Sequence, residues 1–332
     1  MRAELLKNTL KDLFSSKRAV MVESEPGGGK TEIVGQVAKE LGVNFIHKHI
    51  PTMLVEDFGI PFPTGDALTY KIQSWFPRDP NWEGILLFDD FKQTGNDLQK
   101  VVANIIQARE LHGLYLPRGC QVVMTGNRTQ DRAGSHKMLT HLSNRYTRLP
   151  LDTHIDDWTK YAIARRPIAV KPEVISFARF RPNLLHDFDP QRESNPTPRA
   201  WVEGVSDLLG TVPPEAEYEV FRGAVGDGAA SEFMAMLKTH RRLPDPQSII
   251  DNPMTAKVAD GEDKNMINYA LAGALSHRAT RENFGNIIKY TNRLPDEFSV
   301  LTVTLAMRKD VTLSETQAFT DWSVTVGNAV LF

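Results

Sequence analysis

The chain has 332 residues, 41% hydrophobic and 24% charged, with 39 Lys and Arg against 41 Asp and Glu and a net charge of -2. Length beyond about 250–300 residues predicts more than one core, and the apolar fraction excludes a disordered chain. Near-balanced charge argues against a protein that coats DNA or membranes by bulk electrostatics. The single cysteine, Cys120, rules out an internal disulfide and a multi-cysteine zinc site, and fits a reducing compartment. The strongest apolar stretch, Ile85-Leu86-Leu87-Phe88, is far too short for a membrane span. The N-terminus alternates charged and apolar residues, unlike a signal peptide. A soluble, cytoplasmic globular protein is expected.

Ala3 to Phe14 reads as a helix, with Leu5, Leu6, Leu10, Leu13 and Phe14 on one face. Arg18 to Glu23 reads as a buried strand, broken by Pro26-Gly27-Gly28-Gly29. From Thr31 a second helix carries Ile33, Val34, Val37, Ala38 and Leu41 at helical spacing and stops at Gly42. Val43 to His47 is a second strand. Residues 51–82 are irregular, with Leu68, Tyr70 and Ile72 alternating as in a small hairpin. Gly84 to Asp90 is a third strand, apolar at consecutive positions as a sheet covered on both faces requires.

A helix from about Thr94 follows, then a hairpin over Leu111–Pro117 turning at His112-Gly113. Gln121 to Thr125 is a fourth strand, Ser135 to Asn144 a helix and Tyr146 to Leu151 a fifth strand. Beyond about Asp152 the pattern is helical: Asp156–Arg165, Glu173–Phe180, Arg199–Leu209, Glu215–Val225, Ala230–Lys238, Asn265–Arg278, Glu282–Tyr290 and Glu297–Arg308. The fold class expected is therefore α/β, with a five-stranded parallel sheet followed by an all-α region. The expected division is 1–152, with an insert at 52–82 and a hairpin at 109–118, and 153–332.

Three stretches carry chemistry. The first is Ser24-Glu25-Pro26-Gly27-Gly28-Gly29-Lys30-Thr31, followed by Glu32. A polyphosphate needs many N–H donors converging on it, which a glycine-rich backbone ahead of a helix N-terminus supplies. Lys30 adds a point charge for the β/γ oxygens, and the Thr31 hydroxyl is a ligand for Mg²⁺. Ser24 stands where the motif usually begins with Gly. Gly-Lys-Ser/Thr alone arises by chance in roughly one chain in six of this length. Strand before, helix after and two further stretches give it weight.

The second stretch is Ile85-Leu86-Leu87-Phe88-Asp89-Asp90. In nucleotide hydrolases a buried strand ends in an acid that holds Mg²⁺, and a neighbouring acid polarises the attacking water. Asp89 is assigned to the metal and Asp90 to the water. Asp is one methylene shorter than the commoner Glu, which predicts a shifted water or slow turnover. The third is Val122-Val123-Met124-Thr125-Gly126-Asn127, whose terminal amide suits a role toward the water and the γ-phosphate. Taken alone, Gly126-Asn127 is also an ordinary turn.

These stretches, in this order on an α/β core with a helical C-terminal part, resemble the AAA+ ATPases, most closely the MoxR-like branch with its CbbQ-type and phage relatives. Glu56-Asp57-Phe58-Gly59-Ile60-Pro61, the Leu111–Pro117 hairpin and Thr125-Gly126-Asn127-Arg128 carry the branch resemblance. The likeness covers residues 18–152 and continues to about 210. It implies a helical lid, ATP and Mg²⁺ as ligands, a homo-oligomeric ring, in this family a hexamer, and a client protein, in MoxR relatives one with a von Willebrand A domain. It also implies an arginine reaching the neighbouring subunit's nucleotide, here Arg145 in His141-Leu142-Ser143-Asn144-Arg145-Tyr146, with Arg128, Arg132 and Arg148 competing. Asn195-Pro196-Thr197-Pro198-Arg199-Ala200-Trp201 resembles the lid turn that places an arginine, Arg199, over the same subunit's phosphates. The activity implied is ATP hydrolysis coupled to remodelling of a partner protein. A nucleic-acid translocase or loader on the same core is the alternative.

Other constellations point elsewhere less well. His47 and His49 alternate on a strand without an evident third ligand, so they read as satisfied strand histidines and not as a zinc site. Nucleophilic catalysis has no support, since there is no Gly-x-Ser-x-Gly and Cys120 has no evident partner. Phe177–Phe180 with Arg179 and Arg181 reads as a helix with an apolar stripe, and Trp158, Trp201 and Trp322 as core anchors.

Overall fold

The computed structural model describes all residues except 17, 132–141, 143, 166, 242–244, 262–263 and 328–332. The chain divides into two compact units, Met1–Asp157 with Phe188–Gln191, and Trp158–Asp187 with Arg192–Phe332.

The first unit opens with helix α1 (Ala3–Asp12), strand β1 (Ala19–Ser24), helix α2 (Lys30–Leu41) and strand β2 (Asn44–His49). An antiparallel hairpin of β3 (Ile60–Thr64) and β4 (Ala67–Lys71) precedes β5 (Glu83–Asp89) and helix α3 (Asn96–Ala108). A short hairpin of β6 (Glu110–Leu111) and β7 (Leu114–Tyr115) leads to β8 (Gly119–Asn127), and β9 (Tyr146–Pro150) completes the unit. The helix expected over Ser135–Asn144 falls largely outside the described residues.

The five long strands form one parallel sheet in the order β2-β5-β8-β1-β9. Residues alternate between its two faces. Val20, Val22, Ile85, Leu87 and Val123 pack with Leu6, Leu10, Ile33, Val34 and Val37 on the side of α1 and α2. Met21, Leu86, Phe88, Val122 and Met124 pack with Val102, Ile105, Ile106, Phe58 and Phe76 on the other. Burial on both faces is why β1, β5 and β8 are apolar at consecutive positions. The register sets Ser24 beside Asn127 and His49 beside Asp89. Ser24, Asn127, Asp89, His47 and His49 therefore share the α2 face at the carboxyl ends of the strands. Ligands of open α/β sheets bind at that end.

The hairpin expected from the alternation at Leu68–Ile72 is present, but β3 and β4 are exposed along their whole length. Its apolar residues cover no core. Ile60, Phe62, Leu68 and Tyr70 face solvent, and Tyr70 stacks on His112 of the second hairpin at 3.8 Å between ring centroids.

The second unit is helical, as expected: α4 (Ile155–Ala164, whose first turn belongs to the first unit), α5 (Pro172–Phe180), α6 (Glu217–Val225), α7 (Asp227–Arg241), α8 (Pro246–Asp251), α9 (Lys264–Arg278), α10 (Phe284–Thr291), α11 (Asp296–Lys309) and α12 (Gln317–Trp322). An aromatic cluster organises its core. Phe233 lies 5.3 Å from Phe177, 5.6 Å from Trp201 and 5.7 Å from Phe221, and all four are buried. Trp158, Trp201 and Trp322 are core anchors, and Trp322 Nε1 donates to Ser299 Oγ at 2.8 Å. Phe177 is buried and Arg181 pairs with Glu232 at 2.6 Å, in keeping with a packed helix. Ala200–Ser206 winds as a π-helix where an α-helix was expected. The short α8 and α12 were not expected. Six residues show no periodicity, and their signals are the caps Asp245 and Thr316 instead.

Candidate functional site

The loop between β1 and α2 turns on glycine. Gly29 takes φ 85°, a left-handed conformation that side-chain-bearing residues avoid, and hands the chain to α2. Helix α2 then begins at Lys30, so its first amides face the strand ends with the positive end of the helix dipole behind them.

Lys30 is 7% exposed. Its Nζ donates to Asn127 Oδ1 at 2.8 Å, Ser24 Oγ at 3.2 Å and the Glu25 carbonyl at 3.3 Å. Asn127 comes within reach because β8 lies directly beside β1. One residue on, Thr31 Oγ1 donates to Asp89 Oδ1 at 2.8 Å and Oδ2 at 3.0 Å. The glycine loop, the acid strand and the amide strand thus converge at one end of the sheet. Ser24, in the position of the usual first glycine, donates to the Glu25 carbonyl at 2.7 Å and accepts from Lys30. Glu32 points away, accepting from Gln36 one turn along α2 at 3.1 Å. Its side chain does not join the cluster.

Asp89 is 8% exposed. Burial pushes its carboxyl up. Hydrogen bonds from Thr125, Thr31 and His47 outweigh that and hold it below the ordinary carboxylate range. The Thr125 hydroxyl donates to Asp89 Oδ1 and accepts from the Asp90 amide at 2.9 Å. Asp90 has φ 54°, an unusual value for a residue with a side chain. That turn gives the two carboxylates different partners: Asp89 faces Thr31, whereas Asp90 Oδ2 stands 3.8 Å from His49 Nδ1.

The sequence reading took the strand histidines as satisfied but named no partners, and the structure supplies them. His47 Nε2 donates to Asp89 Oδ2 at 3.0 Å, and ligand atoms of His49, Asp89 and Asp90 lie within 4.8 Å of one another. The signal was present in the alternation of His47 and His49. It became legible only once β2 was known to pair with β5. Thr31 and Asp89 supply hard oxygen donors side by side, a set that fits Mg²⁺.

Sequence reasoning also missed the support under the acid turn. Lys92 is 3% exposed. Its stem lies over Gly126, where a Cβ would meet Lys92 Cγ at 2.7 Å. Its Nζ reaches Glu23 Oε1 at 3.4 Å and Thr129 Oγ1 at 3.1 Å. Lys92 thus straps the end of β5 across β8 to β1, on the face away from α2. Cys120 is buried and its thiol is pushed up to about 12 by that burial, which rules it out as a thiolate nucleophile.

Among the arginines considered for an intersubunit role, Arg145 is exposed just ahead of β9, its amide donating to the Leu142 carbonyl at 2.8 Å. Arg148 Nη2 donates to the Tyr146 hydroxyl at 3.2 Å. Arg128 is tied to Glu25 and Asp131, and Arg132 lies outside the described residues. Arg199 is exposed in the second unit. Thr197 accepts from the Ala200 amide at 3.1 Å, so Thr197-Pro198 is a capped helix start with Pro in the first turn.

No protein-family model matches the sequence, and no curated protein matches it. Among solved structures, the chain is similar to NtrX from Brucella abortus in complex with ADP, at 12% identity over 72% of this chain and 67% of that one, with a TM-score of 0.36. It is also similar to the RuvB Holliday junction branch migration motor of Thermotoga maritima, at 14% identity over 82% and 80%, with a TM-score of 0.38. At such values no functional weight rests on the likeness, and the α/β sheet and the site stand on their own geometry.

Proposed function

We propose that this chain binds ATP with Mg²⁺ and hydrolyses it as an AAA+ protein of MoxR-like type, in a homo-oligomeric ring that remodels a partner protein. The observation that carries the reading is the pair of contacts made by consecutive residues: Lys30 on Asn127 at 2.8 Å and Thr31 on Asp89 at 2.8 Å. They bring a phosphate-binding cation, a polar amide and a metal-binding carboxylate to one helix N-terminus.

In this reading Pro26, Gly27, Gly28, Gly29 and the amides of Lys30 and Thr31 cradle the phosphates, and the Lys30 ammonium neutralises the β/γ oxygens. Thr31 and Asp89 would hold Mg²⁺, which supplies charge neutralisation at the transferring phosphoryl group. Asp90 orients and polarises water, and Asn127 fixes it relative to the γ-phosphate. Arg145 would come from the neighbouring copy, and Arg199 from the helical lid of the same copy. The nucleotide core is assigned to residues 1–152 and the lid and extension to 153–332. Since phosphoryl transfer depends on positioning and charge more than on covalent chemistry, these groups suffice.

A protein client is favoured over nucleic acid by the two hairpins. They present Ile60, Phe62, Leu68, Tyr70 and Tyr115 to solvent, apolar and aromatic groups of the kind that anchor protein interfaces. Arg109 beside the second hairpin is committed to the Pro117 and Cys120 carbonyls, both at 2.8 Å, and so is not free for a phosphate backbone. No helix among the described residues is long and apolar enough to cross a membrane, and a cytoplasmic setting is the proposed one. The test is ATP turnover and solution mass, with and without ATP, with duplex and single-stranded DNA added at low and high salt. Turnover with ATP-dependent assembly and no DNA stimulation is expected. DNA stimulation at low salt that vanishes at high salt would favour the nucleic-acid reading instead.

A further inference from the structure

Arg128 follows Asn127 directly, yet its surroundings assign it neither to the water nor to a neighbouring copy. Its amide donates to the Ser24 carbonyl at 3.3 Å, where β8 runs beside β1. Its Nε donates to Asp131 Oδ1 at 3.3 Å and Oδ2 at 3.2 Å, and its Nη2 to Oδ1 at 3.1 Å. Asp131 is 7% exposed, so the guanidinium is seated on a fixed, buried anchor. From there Nη2 also pairs with Glu25 Oε1. Burial lowers the Arg128 affinity for its proton, and Asp131 and Glu25 more than restore it.

Glu25 places a carboxylate at the start of the loop. Its carbonyl turns inward, accepting from Ser24 Oγ at 2.7 Å, Gly28 N at 3.3 Å and Lys30 Nζ at 3.3 Å. Its carboxylate turns to Arg128. A loop built to receive a polyphosphate is a poor place for a negative charge, since like charges within a Debye length repel. The Arg128 guanidinium offsets that charge, shared between the Glu25 and Asp131 carboxylates.

We propose that Arg128 is a same-chain positioning residue that offsets the Glu25 charge at the phosphate loop, so that nucleotide affinity is tuned by this pair. The proposal rests on the phosphate-site reading above. It gives two opposing consequences for two neighbours. Removing the Arg128 charge leaves Glu25 to repel phosphate. Removing the Glu25 charge leaves Arg128 paired with Asp131 and takes one negative charge from beside the loop.

The experiment measures ATP and ADP dissociation constants, and kcat and KM for ATP, on the full chain with Arg128→Gln, Glu25→Gln and both together. Arg128→Gln should weaken both nucleotides about tenfold while kcat at saturating ATP stays within about twofold. Glu25→Gln should tighten binding by about two- to fivefold, and the double variant should return to within about twofold of the parent. A double variant as weak as Arg128→Gln would overturn the proposal. So would an Arg128→Gln variant whose kcat collapses at unchanged affinity and is restored by mixing with Lys30→Met chains, the signature of an arginine acting in trans. If Arg128→Gln fails to fold because Asp131 is left buried without its partner, Glu25→Gln alone decides: tighter binding supports the proposal and weaker binding overturns it. A parent chain that binds no nucleotide at all would bring down the phosphate site and this pair with it, whereas binding without the compensation removes the pair alone.

Discussion

Replacing Lys30 by Met tests the site most directly, because it removes the ammonium and keeps most of the stem. The parent group is 7% exposed and makes three hydrogen bonds within its own chain. The substitution leaves the buried Ser24 and Asn127 oxygens without this donor, which costs about 1–3 kcal/mol, so the unliganded melting temperature should fall modestly. Nucleotide binding should not survive so well. A hydrogen bond to a charged group contributes about 1.5–3 kcal/mol. Losing about 3 kcal/mol raises Kd roughly 150-fold. At ATP equal to about 100 times the parent Kd, linkage stabilises the parent by about 2.7 kcal/mol and the variant by only about 0.3 kcal/mol. For a unit of this size the parent should melt about 5–10 °C higher with ATP and the variant within about 1 °C of its unliganded value. The assay is thermal unfolding by near-UV dichroism with and without ATP and Mg²⁺. A variant that keeps the full ATP-induced shift would refute the argument, since the group placed on the phosphates would then carry none of the binding.

Asp90→Asn should retain ATP affinity and lower turnover by about 10²–10⁴-fold, the range for loss of a general base; unchanged turnover in a phosphate-release assay would remove Asp90 from the mechanism. Among the described residues, Lys92→Met leaves Glu23 beneath the strand ends with Arg148, at 3.8 Å, as its remaining ion-pair partner. It should destabilise the first unit by about 3 kcal/mol, read as a lower urea midpoint at unchanged m. Asp157 accepts from Arg2 Nη2 at 2.6 Å and from the Ala3 amide at 3.1 Å, tying down the start of α1. Burial pushes its carboxyl up, but Arg2 and the amide prevail and hold it below the ordinary value. Its stabilisation is therefore present above about pH 4, the unfolded value, and lost as pH falls through the lower folded one. Asp157→Asn should flatten the acid limb of a stability–pH curve, and an unaltered limb would count against the pairing.

Much of this protein is written in local patterns. Consecutive apolar residues at Ile85–Phe88, helical spacing at Ile33–Leu41 and three glycines before Lys30 each depend on neighbours a few residues away. They gave the sheet strands, helix α2 and the phosphate loop before any coordinates. The strand-ending acids and Asn127 were also visible, because strand ends are marked by polar residues after apolar runs. Strand order was not visible. That β8 lies between β1 and β5, and that β2 pairs with β5, depends on pairings between residues far apart in the chain, which no local period encodes. Those pairings bring Asn127 to Lys30 and turn His47 and His49 from unremarkable strand residues into partners of Asp89 and Asp90. Lys92 under Gly126 and Arg128 on Glu25 belong to the same class: charged side chains whose partners are fixed by tertiary packing. The sequence specified which chemical groups this protein carries and on which elements, while the tertiary structure alone decided which of them meet, because a side chain's reach is a few ångströms in space and says nothing of distance along the chain.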